Sequence, residues 1–194
     1  MRRLAAALFP LVAAACARGE DAPADTALAA AAAPGTAAAA PQAAQPPASP
    51  RDSARGTVGG VDVLVDYGRP SKRGRVIFAA DGLVPYGRVW RTGANAATTL
   101  VTSGPLIVGG TRVPAGTYTL YTVPGPDAWQ LVINKQTGQW GTEYDQSQDL
   151  ARVPMRVTAL GTPVEQFTIA VEGPAIVMRW DTVQASVALT PHEQ

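Results

Sequence analysis

The chain has 194 residues, with 16 lysines and arginines, 15 aspartates and glutamates and a formal net charge of +1. Residues 57–194 carry eleven cationic and eleven acidic side chains, so this part of the chain is formally neutral. No nucleic acid partner is expected, because phosphate backbones are bound by basic surfaces. The composition changes sharply along the chain, which indicates separate segments.

Residues 1–16 have the pattern of an export signal. Arg2 and Arg3 form a positive start, and residues 4–15 form a short apolar run. A helix that crosses a membrane needs about 20 apolar residues, so this run is too short to be one. We therefore expect a signal peptide at residues 1–16.

The end of this segment, LVAAAC at residues 11–16, resembles a bacterial lipobox, with Ala13 where a leucine is usual. A lipobox would make Cys16 the lipidated first residue of a mature protein anchored to a bacterial membrane. The alternative is ordinary cleavage after an Ala-x-Ala site, which leaves a periplasmic protein with a free thiol. Cys16 is the single cysteine, so no disulfide forms within the chain. The lipoprotein hypothesis is favoured because it gives this unpaired cysteine a role.

Residues 17–56 consist largely of alanine and proline, with no aromatic side chain and no β-branched one beyond two threonines. Such a segment cannot bury enough apolar surface to offset the entropy lost on ordering. As a flexible coil it would span on the order of 35 Å, and roughly 120 Å if fully extended. We predict a disordered tether that leads to a domain at residues 57–194.

That domain shows short β-type segments separated by turns, without a helical period of the usual length. The pair Gly109-Gly110, between apolar segments, predicts a two-residue hairpin. Tyr118 and Leu120 share one face of a predicted strand and Tyr121 lies on the other. The β-type segments cover residues 61–67, 76–78, 98–102, 106–108, 111–113, 117–123, 129–134, 152–159, 167–171, 176–180 and 183–189. We predict an all-β domain, an antiparallel β-sandwich or jelly roll of about nine strands.

Residues 89–99 depart from this alternation. They place Trp90, Arg91 and Asn95 beside Gly93, which combines an aromatic ring, a cation and an amide around a flexible residue. Polar and aromatic groups in an irregular segment are typical of binding sites, because loops on a rigid scaffold carry much of protein function. Asn95 either orients a ligand or stabilises a turn through its own backbone.

Several ordered blocks of the domain carry a family resemblance. They are Tyr67-Gly68-Arg69-Pro70-Ser71, Gly74-Arg75, Leu83-Val84-Pro85-Tyr86-Gly87, Trp90-Arg91-Thr92-Gly93-Ala94-Asn95, Ala115-Gly116-Thr117-Tyr118 with Leu120, and Asn134 followed by Trp140-Gly141. Together they resemble the bacterial family called domain of unknown function 2911, DUF2911, over nearly all of residues 57–189. The resemblance implies an exported, β-rich protein and no particular reaction. Ala96 is a departure, because the family usually has glutamate there.

Six cations lie within 23 positions, against the single acid Asp81. They are Arg69, Lys72, Arg73, Arg75, Arg88 and Arg91. One interpretation is an anion site, because a guanidinium group binds carboxylate, sulfate or phosphate through two parallel donors. The other is that these cations pair with Asp145, Glu165 and Asp181 or remain solvated. Arg91 is the strongest candidate for the site, because it lies beside Trp90 rather than in a run of charges.

The tyrosines and tryptophans allow two interpretations, a stacking platform for a sugar or the filling of a small core. Trp129 and Trp180 lie in alternating segments and are predicted core residues. Trp90 and Trp140 lie in irregular segments, so we expect them to be the more exposed.

Enzymatic signatures are mostly missing. His192 is the single histidine, so neither a histidine triad nor a multi-histidine metal site can form. We predict no cofactor, no metal site and no catalytic residue. Acids such as Asp145 and Glu165 could act as a pair on glycosidic bonds, although the sequence does not give their separation.

We predict an envelope-tethered module in the periplasm that binds a small anionic or polar ligand, such as an envelope glycan. The predicted ligand-binding residues are Arg91, Asn95, Trp90, Arg69, Arg75, Tyr67, Trp140 and Asp145. The alternatives are a histidine-free hydrolase and a purely structural envelope lipoprotein.

Overall fold

The structure is a computed structural model, and it describes residues 48–192. The predicted signal peptide, the lipidation site Cys16 and most of the predicted tether lie outside these residues. Within the described range, no helix has the length and apolarity needed to cross a membrane.

The described residues form eleven strands and one short 3-10 helix. The strands are β1 (Arg51–Val58), β2 (Val61–Gly68), β3 (Phe78–Ala79), β4 (Val84–Pro85), β5 (Thr98–Thr102), β6 (Leu106–Val108), β7 (Thr111–Val113), β8 (Gly116–Val123), β9 (Trp129–Asn134), β10 (Asp149–Val171) and β11 (Ala175–Pro191). Nine of them form one antiparallel sheet in the order β1-β2-β5-β8-β9-β10-β11-β6-β7. The 3-10 helix, Gln146–Gln148, precedes β10, and β3 pairs with β4 separately. The predicted all-β antiparallel fold is therefore confirmed.

The two longest strands, β10 and β11, bend and fold the sheet into two layers. The first residues of β10, up to Met155, pair with β9, whereas its later residues pair with β11. The register between β10 and β11 shifts on both sides of Val164, and such bulges bend a strand. The end of β10 lies against β2, where the Tyr67 hydroxyl donates a hydrogen bond to the carbonyl oxygen of Ile169 over 3.1 Å. The result is a sandwich-like arrangement of two layers around one core.

The core is built from the alternating apolar positions that the sequence shows. Val65, Leu120 and Leu131 are fully buried and belong to one continuous hydrophobic cluster. The predicted hairpin is also present, because Gly109 and Gly110 have φ values of 54° and 88° between β6 and β7. Two glycines accept such angles without the steric penalty of a Cβ atom.

The structure corrects two details of the predicted organisation. Strand β1 begins at Arg51, so the ordered domain starts before the predicted boundary at Thr57. The sequence of residues 51–58 shows no alternating apolar pattern, because only Ala54 and Val58 are buried hydrophobic residues. The position of β1 is set instead by its pairing with β2. Four predicted strands also merge into two, since β10 and β11 continue through their bends.

Candidate functional site

Two irregular segments accompany β5, β8 and β9 near the candidate site. Residues 90–97 begin in the plane of the sheet, where the backbone of Trp90 pairs with Thr122 as an isolated antiparallel bridge through hydrogen bonds of 2.8 and 2.9 Å. Residues 136–148 form a strap over the outer face of the sheet, the face of β8 that carries Thr119 and Tyr121. The amide of Gly141 in this strap donates to the carbonyl oxygen of Asn95 over 3.0 Å, so the segment singled out by the sequence connects the sheet to the strap.

Three buried threonines join residues 90–97 to the sheet, where Thr98 and Thr122 lie on the same face as Leu120. The hydroxyl of Thr98 donates to the carbonyl oxygen of Thr92 over 2.8 Å, and the hydroxyls of Thr92 and Thr122 lie 3.2 Å apart. All three side chains are buried. Hydrogen bonding is what makes their burial tolerable, because an unpaired buried hydroxyl costs about 1–3 kcal/mol.

The backbone of the central segment is strained at two positions. Thr92 and Asn95 have φ values of 53° and 63°. Asparagine tolerates this left-handed region, whereas a β-branched residue such as Thr92 is an outlier there at a cost of about 1–3 kcal/mol. Asn95 thus adopts a left-handed turn conformation, and this residue is exposed.

A cavity of about 210 Å³ opens beside this segment. It is lined by Ser49, Pro70, Arg75, Leu83, Val84, Trp90, Arg91, Gly93, Ala94, Asn95 and Trp180. We call it the arginine cavity. Among the described residues its wall holds two cations and no carboxylate, so it presents positive charge without a neutralising partner.

Arg91 is the side chain of the arginine cavity with the most unusual surroundings. Its Nε atom is buried and has no hydrogen-bond partner within residues 48–192, and Arg91 joins no ion pair there. Gly141 packs against it so closely that an added Cβ would lie 2.4 Å from Arg91 Cδ. A buried donor without an acceptor costs about 1–3 kcal/mol, and no group among residues 48–192 offsets this cost for Arg91 Nε.

The other two arginines among the predicted ligand-binding residues, Arg69 and Arg75, have protein partners. The Arg69 guanidinium donates to Asp52 Oδ2, the carbonyl oxygen of Phe167 and the hydroxyl of Thr168 over 3.0, 3.2 and 3.0 Å. It therefore joins β1, β2 and β10 and does not line the arginine cavity. Arg75 does line it, while its Nε and Nη2 donate to backbone carbonyl oxygens over 3.0 and 2.6 Å.

The division of the aromatic residues into core and exposed side chains differs from the prediction at Trp90. Trp90 is not an exposed platform, because it packs into the core with its ring stacked on Trp180 at 5.8 Å and 18°. Only part of it reaches the cavities. Trp129 and Trp180 are core residues as predicted, and Trp140 is 53 % exposed as expected. Tyr67 is buried and points its hydroxyl at β10, so the structure does not bring it to the site.

A second cavity of about 350 Å³ lies on the other side of Arg91. Its lining consists of Val89, Trp90, Arg91, Tyr121, Gly141, Thr142 and Tyr144. We call it the tyrosine cavity. Tyr121 and Thr142 were not among the predicted site residues. The signal that could have revealed Tyr121 is its position on the face of β8 opposite the core residues Tyr118 and Leu120.

Tyr144 is fixed by a polar cluster at the start of β10. Its hydroxyl donates to Asp149 Oδ2 over 2.6 Å and accepts a hydrogen bond from Arg152. The buried amide of Asn134 donates to the other oxygen of Asp149 over 2.9 Å. Burial, followed by the hydrogen bond to Asp149, raises the pKa of Tyr144 to about 12. The ring therefore stays neutral and oriented at ordinary pH.

The acids considered for hydrolysis have structural positions. Asp145 caps the 3-10 helix by accepting from the amide of Ser147 over 2.9 Å, and hydrogen bonds from Ser147 lower its pKa. A carboxyl with a lowered pKa is a poor general acid. Glu165 accepts from the amide of Arg73 over 2.8 Å. Neither acid lines the arginine or the tyrosine cavity. In the part of the chain that the structure describes, no group of three or more possible metal ligands comes together.

The structure defines the class of protein as an all-β, sandwich-like domain with a cavity lined by Arg75 and Arg91. A family model described as protein of unknown function (DUF2911) matches residues 49–189, and the chain belongs to this family. No curated protein and no solved structure matches the chain.

Proposed function

We propose that this protein is an exported binding module that holds a small oxyanion, a carboxylate or a phosphate, in the arginine cavity. Arg91 and Arg75 provide the charge, and the exposed amide of Asn95 provides further hydrogen bonds at the rim. The proposal rests above all on the buried Nε of Arg91, which lacks an acceptor within the described residues.

The chemistry of the cavity wall favours an anion over other small molecules. Guanidinium groups offer only donors, so the complement of Arg91 is an acceptor, and a charged acceptor bonds about twice as strongly as a neutral one. The wall next to Arg91 contains the core ring of Trp180 and the apolar Leu83. Such surroundings lower the local dielectric constant, which strengthens the attraction between guanidinium and anion.

The size of the cavity limits the bound group. A volume of about 210 Å³ corresponds to roughly seven water molecules at about 30 Å³ each. A carboxylate, phosphate or sulfate group with a short substituent fits this space, whereas a polymer fits only through its terminal anionic group.

The place of action proposed for this module is the periplasmic face of a bacterial membrane, through a lipid on Cys16. The support is the sequence of residues 11–16 and the alanine- and proline-rich composition that follows. Fractionation of cells that express Cys16→Ser beside the unaltered chain tests this placement. Retention of both proteins in the membrane fraction would contradict a lipid anchor.

The two alternative functions receive less support. A hydrolase would need its acids near the ligand, and Asp145 and Glu165 lie outside both cavities. A structural role for the motif was expected to rest on a buried pair between Arg91 and an acid, and Arg91 has no such pair among residues 48–192.

A thermal-shift experiment with acetate, phosphate and sulfate tests the proposed function. An anion at a hundred times its dissociation constant adds about 2.7 kcal/mol to the unfolding free energy, which raises the melting temperature by several degrees. We expect Arg91→Ala to abolish this shift and to alter the melting temperature of the ligand-free protein little, because Arg91 joins no ion pair within residues 48–192.

Arg112→Ala is the matched control, since Arg112 is exposed on β7 and lines neither cavity. It removes the same charge and should keep the full response to anions. An equal loss of response in both variants would mean that the anions act through general charge screening, and the proposed site would be rejected.

A further inference from the structure

We infer that the tyrosine cavity is a second subsite, which takes the ring of a ligand whose anionic group binds at Arg91. This inference rests on the proposed anion site and adds the chemical class of the ligand. Trp90 and Arg91 line both cavities, so Arg91 lies between the two spaces and borders each of them. A ligand whose ring lies in the tyrosine cavity can therefore place its anionic group against Arg91 from that side.

The two tyrosines of this cavity have hydroxyl groups that are fully occupied by the protein. The Tyr121 hydroxyl donates to the carbonyl oxygen of Glu143 and accepts from Gln139 Nε2, both over 3.0 Å. The Tyr144 hydroxyl donates to Asp149 and accepts from Arg152. What the tyrosines can offer a ligand is therefore the surface of their rings.

The ring surfaces are held in a fixed arrangement. Tyr121 and Tyr144 pack edge to face with 4.9 Å between their ring centroids, and Trp90 is fixed by its stack on Trp180. Rings that are already immobilised lose little entropy when a ligand arrives, which favours binding. Aromatic walls of this kind bind flat apolar faces, either another aromatic ring or the C–H face of a sugar.

The polar side chains that line the tyrosine cavity can donate hydrogen bonds to the anionic group of a ring-bearing ligand. They are the guanidinium of Arg91 and the hydroxyl of the exposed Thr142. Among the described residues, no carboxylate lines this cavity either. Its volume of about 350 Å³ lies within the range of about 300–1,000 Å³ that is usual for small-molecule sites. The ligand class is thus a carboxylate or phosphate joined to one ring.

Binding of acetate, benzoate and glucuronate to the whole protein tests this inference, with dissociation constants measured by calorimetry. Acetate is the anion alone, benzoate adds an aromatic ring and glucuronate adds a sugar ring. We expect at least one ring-bearing anion to bind about tenfold more tightly than acetate, since an aromatic contact contributes about 0.5–1.5 kcal/mol and 1.4 kcal/mol is tenfold. The stronger of the two identifies the kind of ring.

Variants of the tyrosine cavity locate the ring. Tyr144→Leu should remove the advantage over acetate, whereas Tyr144→Phe keeps the ring and should restore it. Thr142→Trp fills the tyrosine cavity from an exposed position and should also remove the advantage over acetate. It serves as the test if Tyr144→Leu fails to fold. Acetate should bind equally to these variants, because none of the changed residues lines the arginine cavity.

The outcomes separate the inference from the proposed function. If acetate binds at Arg91 and neither ring-bearing anion binds more tightly, the inference is overturned and the anion site stands. The same holds if the advantage survives both Tyr144→Leu and Thr142→Trp. If none of the three anions binds, the proposed function fails and the inference fails with it.

Discussion

The two faces of strands β8 and β9 are both buried, but by different kinds of contact. On the inner face, Leu120 and Leu131 belong to the continuous hydrophobic core. On the outer face, Thr119 and Asn134 are equally buried and are satisfied by hydrogen bonds. An apolar face needs only shape and volume, whereas a polar face needs a partner for each donor and acceptor.

The two faces also differ in how completely their buried polar atoms are hydrogen-bonded. The buried polar side-chain atoms without a partner in the described range are Arg91 Nε, Gln136 Oε1 and Gln139 Oε1. Gln136 and Gln139 belong to the strap over the outer face, and Arg91 packs against Gly141 of this strap. The inner face holds the fold together, and the outer face carries the unsatisfied groups that a ligand or water could use.

The largest effect should come from breaking the inner face alone. Leu131→Ala removes a fully buried side chain and should lower the free energy of unfolding by about 2–5 kcal/mol, because it deletes apolar contacts and leaves a cavity. Urea denaturation measures this loss. Gln130→Ala, at an exposed position of the same strand, should change the stability by less than about 0.5 kcal/mol. An equally large loss in the control would contradict the division between the faces.

A smaller loss of stability, joined to a loss of binding, should follow from disturbing the outer face. In Gly141→Ala the added Cβ would lie 2.4 Å from Arg91 Cδ and 2.6 Å from the backbone oxygen of Asn95. We expect a cost of about 1–3 kcal/mol and at least a tenfold weaker response to anions, because Arg91 must move. Calorimetry and denaturation together measure both effects.

Gly161→Ala serves as the control for this prediction. A Cβ added at Gly161 meets nothing within 4 Å, and Gly161 is exposed in β10. This variant should keep both stability and anion binding. Normal anion affinity in Gly141→Ala would show that the strap does not position Arg91.

The smallest effect concerns the pH dependence of the outer face. The pKa of Tyr144 in the folded protein is about 12, above the ordinary value of 10.0, because of burial and the hydrogen bond to Asp149. The stability that this neutral tyrosine contributes is complete below pH 10 and is lost as the pH rises through about 12. Tyr144→Phe should therefore lose less stability than the parent protein over this range. Denaturation at both ends of the range tests the difference, and identical pH profiles would contradict it.

The inner face was largely predictable from the sequence, because alternating apolar residues lie on one face of a strand and that face is buried. The hairpin at Gly109-Gly110 followed for the same local reason. Strand β1 was missed because its place depends on β2 rather than on its own apolar pattern. The continuity of β10 and β11 was missed because a bulge looks like a turn in the sequence.

The candidate site was predictable only in part. The structure brings Arg91, Arg75 and Asn95 to one cavity, whereas Trp90 of the same irregular segment packs against the core. Arg69 was placed in the same site, but its partner Asp52 and its contacts to residues 167–168 lie in other strands. Tyr121 was missed as a site residue because its surroundings come from the strap after β9, which no local pattern connects to β8.

The point where the chain enters the domain lies close to the arginine cavity. Ser49 lines this cavity, and the guanidinium of Arg51 reaches the carbonyl oxygens of Ala96 and Ala97 at 3.5 Å. Strand β1 is the edge of the sheet, paired only to β2 along its length. Mechanical tension on the chain before Arg51 would therefore peel β1 away from this end first. Because Ser49 precedes β1 and lines the arginine cavity, such peeling would alter the wall of the proposed anion site before it reached Ala54 and Val58, the core residues of β1.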